Sequence, residues 1–168
     1  DTPYFLSAFV PAPSFGNAMG RVDMRLAVFS KYKMKDAIRY ALPGLTKDSF
    51  LRKAFNLKRA IMTVDIPLDG KRSLRILNTH LSAFDYGDGT KTKQVKQMVD
   101  LIDKAEKDGM LWLAGGDLNL LPPGVTAKSL NIERELYAYK RNPVELLFGK
   151  FKSALDPAEY KKDPKKYN

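Results

Sequence analysis

Residues 113–124 read LAGGDLNLLPPG, and the fold turns on this stretch. A short apolar run, Met110 to Ala114, leads into it and reads as a buried strand. The run stops at Gly115-Gly116 and then presents Asp117 and Asn119 on either side of Leu118, before Leu120, Leu121 and a Pro122-Pro123-Gly124 turn. Glycine allows a sharp backbone turn and a close approach by a ligand. Residues two apart in an extended segment point the same way, which lets Asp117 and Asn119 share a face. A carboxylate and a carboxamide so placed can orient a water, hold a cation or donate to a phosphate oxygen. The competing reading is an Asx turn after a strand, in which both side chains only bond nearby backbone.

At 168 residues with 44% hydrophobic and 29% charged side chains, the chain is long enough for one domain with a real core and is not of disordered composition. No apolar run approaches the roughly 20 residues of a membrane-spanning helix. The opening Asp1-Thr2-Pro3-Tyr4 reads as the middle of a longer text. The absence of cysteine excludes a disulfide framework, a thiolate metal site and a cysteine nucleophile, and leaves the compartment open. The net charge of +10 flanks the centre: residues 1–60 carry +7, residues 61–124 carry −1 and residues 125–168 carry +4. Such a surface suits anionic partners (DNA, RNA, phospholipid headgroups or phosphorylated metabolites) without choosing among them, and it is equally what a soluble surface looks like.

Working outward, Tyr4–Val10 and Met24–Ser30 read as strands on either side of a Pro11–Asn17 loop, and Ala37–Leu42 as a weaker strand. Leu45–Leu57 is ambiguous between a short helix and an irregular edge. Arg59–Pro67 alternates, with Ile61, Thr63 and Asp65 opposite Ala60, Met62, Val64 and Ile66. The Asp69-Gly70 pair that follows is a hairpin signal. In the next strand Leu74, Ile76, Asn78 and His80 share one face and Arg75, Leu77, Thr79 and Leu81 the other. Apolar residues on both faces predict a sheet covered on both sides. A helix is predicted from about Thr92 to Lys107, with Val95, Met98, Val99, Ile102 and Ala105 on one stripe and Asp108-Gly109 closing it. Helices are also predicted within Ala127–Tyr139 and Pro143–Leu155, with a further helical turn from Asp156-Pro157. Lys161 to Lys166 is a charge run.

A second polar cluster, Asn78 and His80, ends the Ser73–His80 strand, and His80 is the sole histidine. A lone histidine after an apolar run is often structural. However, strand, helical crossover and strand bring like ends together if the strands are parallel, and sites gather at carboxyl ends. An antiparallel ladder would break this step.

The two clusters resemble the endonuclease/exonuclease/phosphatase superfamily. Asn78-Thr79-His80-Leu81 is similar to its Thr-His-Leu strand end, Gly116-Asp117-Leu118-Asn119 to its Gly-Asp-Phe-Asn loop, and Leu26 to Lys31 to its strand ending in Ser-Arg or Ser-Lys. Arg59 opens the preceding strand with a basic residue, and the helix between the motifs carries Gln94. The resemblance covers about residues 20–124, and the ordered set is more specific than any one motif. It implies an α+β fold, a four-layer α/β/β/α sandwich of two mixed sheets flanked by helices, here incomplete, with residues 1–168 a single partial domain. It implies hydrolysis of a phosphodiester or phosphomonoester by in-line water attack with a divalent metal, magnesium first. Asp117 would orient the water and bind the metal. Asn119 and His80 would bond the non-bridging phosphate oxygens. Arg59 would contact a substrate phosphate, and Asn78 would line the substrate site. Charge neutralisation is the main need of such a reaction.

Two departures stand against it. The superfamily's metal-binding glutamate precedes anything like Leu26–Ser30, whereas the first glutamate here is Glu106. Its closing Ser-Asp-His motif is absent. Truncation accounts for both, since Tyr160–Asn168 resembles the region before the closing strands, and the expectation is that this 168-residue piece is inactive. The alternative is a non-catalytic basic module that binds nucleic acid or anionic lipid. A third reading, an unrelated basic α/β protein, predicts His80 and Asp117 more than about 10 Å apart, too far for one bound phosphate.

Overall fold

The alternation in residues 60–80 decides the middle of the molecule. A computed structural model describes residues 4–10, 24–45, 58–85, 87–130 and 141–163. Its strands are β1 (Tyr4–Val10), β2 (Met24–Ser30), β3 (Lys35–Ala41), β4 (Ala60–Pro67), β5 (Ser73–His80) and β6 (Leu111–Asp117). Its helices are α1 (Thr90–Lys107), α2 (Ala127–Leu130), α3 (Glu145–Phe148) and α4 (Pro157–Lys162). The fold is α+β, with a mixed four-stranded sheet ordered β3-β4-β5-β6 and a separate antiparallel pair β1-β2.

Strand β4 is interior, and seven of its eight residues are buried. Its two apolar faces enter two different cores. Ile61 joins Leu77, Leu81, Val95, Met98 and Ile102 beneath α1. Ala60, Met62, Val64 and Ile66 join Leu26 of β2, with Val28, Leu74 and Ile76 packed alongside. The layers are therefore α1, the four-stranded sheet, then the β1-β2 pair, and Asn78 Nδ2 fastens the second boundary by donating to the Ala27 carbonyl at 2.9 Å. The Asp69-Gly70 hairpin forms as its residues dictate: Asp69 Oδ1 accepts from the amides of Lys71 and Arg72, and β4 and β5 pair antiparallel from Ile61↔Thr79 to Pro67↔Ser73. Strand β3 is an edge, with a bulge between Lys35 and Ile38 and Asp36 at φ 53°, a device that blunts an exposed edge.

Helix α1 begins two residues earlier than its apolar stripe predicts, and its first turn is buried through polar groups. Thr90, Lys91 and Gln94 are inaccessible alongside Val95, Met98, Ile102 and Ala105. Two expectations need correction. Met110–Ala114 is not a fully buried strand, because Leu111 and Leu113 are 52% and 57% exposed. Among the described residues, strand β6 is the other edge of the sheet. Trp112 and Ala114 pack towards α1, and the β1-β2 pair covers the sheet over β4 and β5. The helix expected across Pro143–Leu155 is limited to α3, four residues long, after which Phe151 packs edge-on against Trp112 at 5.0 Å. Asp156 caps α4 as its Asp-Pro start predicts. Among the described residues the second sheet is the antiparallel pair β1-β2. The Pro11–Asn17 loop, most of Leu45–Leu57 and the end of the Ala127–Tyr139 helix lie outside the described residues.

Candidate functional site

The site is set by a register. Strands β5 and β6 pair in parallel, with α1 as the crossover, and His80 is level with Asp117. Asn78 and Thr79 are level with Gly115 and Gly116. The ladder continues one step further, where the Leu81 amide donates to the Asp117 carbonyl at 2.9 Å. His80 Nε2 lies 3.5 Å from Asp117 Oδ2, and the imidazole is 30% exposed against 60% for the carboxylate. The requirement for glycine at this point is strict. Gly116 has φ 124°, and a Cβ there would stand 1.9 Å from the Thr79 carbonyl oxygen. Only glycine lets β6 approach β5 this closely just before the carboxylate.

Beyond Asp117 the chain turns back through Asn119, at φ 50°, a conformation asparagine tolerates. The Asn119 amide donates to Asp117 Oδ1 at 2.9 Å, which is an Asx turn. Asn119 Nδ2 donates to the Leu81 carbonyl at 3.0 Å and ties the two strand ends together. The Asx-turn reading and the site reading thus describe the same residues. One Asn119 N–H is committed to Leu81, and Asn78 Nδ2 bonds Ala27 across the layers. Leu118 and Leu120 line an apolar hollow of about 120 Å³ with Pro122, Val144, Phe148 and Tyr160.

Charge at the cluster favours an anion. Arg59, at the start of β4, is partly buried. Burial lowers its pKa, and the field of Asp117 opposes that shift. Burial and the nearby Arg59 cation together lower the His80 pKa, against the pull of Asp117, and so favour the neutral imidazole. Lys91 was missed in the sequence. It is fully buried, and its Nζ donates to the Asn119 carbonyl at 2.9 Å. Burial pulls its pKa down to about 8 despite the opposing fields of Asp85 and Asp117. The signal was present, because Lys91 sits four residues before Val95 on the stripe that faces the core.

Among the described residues, no group of three histidine or acidic side chains could hold a metal ion. Asp117 offers a single carboxylate, the kind of anchor magnesium uses when substrate phosphates and waters supply its other ligands.

No family model and no curated protein matches the chain. Solved structures similar to it include TDP2 from Caenorhabditis elegans (18% identity, TM-score 0.49, 73% of this chain and 33% of that one). They also include the human Nocturnin catalytic domain with bound sulfate anion (16%, 0.49, 71% and 44%). A third is ANGEL2, a 2',3'-cyclic phosphatase (13%, 0.42, 76% and 35%). All three are similar at low identity, and the chain spans less than half the length of each.

Proposed function

We propose that the chain is a segment of a metal-dependent phosphoesterase whose site takes a phosphodiester or phosphomonoester between His80, Arg59 and Asp117. The observation that carries this reading is the 3.5 Å approach of the sole imidazole to Asp117 at matched carboxyl ends of adjacent parallel strands. In this reading residues 1–168 are part of one domain, the four-layer sandwich of the resemblance. Neutral His80 donates a hydrogen bond to a non-bridging oxygen. Arg59 faces the same phosphate with a fixed positive charge, and the uncommitted Asn119 N–H adds a donor. The Asp117 carboxylate orients the attacking water. These groups act where negative charge grows, which is where fixed donors lower the barrier most. Asp117 is also the residue that would hold magnesium, and the bound ion would neutralise charge on the substrate.

The chain contains one histidine and lacks the closing Ser-Asp-His motif of the resemblance, so binding without turnover is expected. The test follows the His80 imidazole by NMR while inorganic phosphate is added, and assays a chromogenic phosphodiester with magnesium in parallel. Phosphate-dependent shifts that vanish in Asp117→Ala and Arg59→Met support the reading. Magnesium-dependent turnover abolished by His80→Ala would refute the expectation of an incomplete site.

The second reading is a non-catalytic module for nucleic acid or anionic lipid. It is favoured by the Arg59 cation, whose field at His80 outweighs that of Asp117, and by the +10 charge. It predicts binding that survives chelation and Asp117→Ala, with affinity falling steeply as salt rises.

A further inference from the structure

The first turn of α1 does more than start a helix. Asp85 Oδ1 accepts from the Gly89 amide at 3.2 Å and its Oδ2 from the Lys91 amide at 3.1 Å, which fixes the helix N-terminus. Gln94 reaches the segment that follows His80: its Oε1 accepts from the Ser82 amide at 2.9 Å, and its Nε2 donates to Ser82 Oγ at 2.9 Å and to the Pro43 carbonyl at 2.6 Å. Lys91 reaches the other strand end through the Asn119 carbonyl at 2.9 Å. One helical turn therefore grips the segments that follow both His80 and Asp117.

A buried ammonium is an expensive donor to set against the Asn119 carbonyl, because removing a charge from water costs more than burying a neutral donor would. We propose that Lys91 is a positioning residue of the phosphate site: its ammonium holds the Asn119 carbonyl, fixing the Asp117–Asn119 turn that keeps the carboxylate beside His80. This rests on the phosphoesterase reading for the identity of the ligand but not for the hold on the turn. Lys91 does not touch the phosphate. It fixes the geometry of groups that do, and a turn free to relax would leave Asp117 and His80 aligned only part of the time.

The experiment compares the wild-type chain with Lys91→Met, Lys91→Arg and Lys93→Met, the last an exposed lysine on the same helix. It uses two readouts: hydrogen exchange of the Asn119 and Leu81 amides, and inorganic phosphate binding followed at the His80 imidazole. Lys91→Met is expected to speed Asn119 exchange and weaken phosphate binding about tenfold, the scale of one charge-assisted contact. Lys91→Arg is expected to restore both, and Lys93→Met to change binding by less than about threefold. Faster exchange with unchanged phosphate affinity marks a purely structural lysine and overturns the proposal, as does unchanged exchange in Lys91→Met. If Lys91→Met does not fold, Lys91→Arg decides: wild-type exchange and affinity support the proposal, and lost affinity with protected Asn119 overturns it. A wild-type chain with no phosphate response refutes the phosphoesterase reading and with it the phosphate role of Lys91, while the exchange readout still decides whether Lys91 holds the Asn119 turn.

Discussion

Lys91→Met should leave the protein folded and remove a pH dependence that wild type shows between about pH 8 and 10.5. The Lys91 pKa is near 8 in the folded protein, against 10.5 for an unburied lysine. Between those values the unfolded chain binds the proton and the folded chain does not, so stability rises with pH. Below about pH 8 both states are charged and the folded state bears the full penalty. Above about 10.5 both are neutral and the penalty is gone. A difference of about 2.5 units corresponds to about 3 kcal/mol. Methionine fills similar space without the penalty but strands the Asn119 carbonyl, which costs about 1–3 kcal/mol. At about pH 7 the variant should match wild type or exceed it by up to about 2 kcal/mol, and by about pH 10 it should be the less stable protein. Urea denaturation at several pH values, followed by far-UV circular dichroism, reads this directly, and other titrating groups cancel in the difference. A wild-type-minus-variant difference that stays flat within about 0.5 kcal/mol across that range would refute the reasoning.

Three further outcomes are expected. The His80 imidazole should titrate below 6.5, with Arg59→Gln raising its midpoint and Asp117→Asn lowering it, because the two charges act on it in opposite senses; NMR titration reads all three. Because the folded imidazole resists protonation, stability should fall as pH drops through 6.5 towards the folded pKa. Gly116→Ala should destabilise by at least about 2 kcal/mol, since a Cβ has no room beside Thr79 and φ 124° strains any other residue; thermal denaturation checks it. Arg75→Met should cost about 3–5 kcal/mol, because Asp65, paired to Arg75 at 2.7 and 2.8 Å and nearly inaccessible, would be left charged and alone. Urea denaturation at neutral pH reads that loss.

The local elements around the site are legible in the order of residues. Strict alternation in residues 60–66, the Asp69-Gly70 turn and the Val95–Ala105 stripe each encode a period or a turn that short-range sterics enforce, and all appear as expected. Residue type also marked both strand ends, since polar groups after apolar runs stand out in one dimension. That β5 and β6 run parallel with His80 level with Asp117 emerges only in three dimensions, because strand direction is chosen by long-range pairing that no local pattern records. The fold alone exposed Leu111 and Leu113, since the extent of cover depends on where the β1-β2 pair lands. It alone buried Lys91, because the energy of an ammonium depends on what surrounds it, and the carbonyl that receives it lies 28 residues away in the chain.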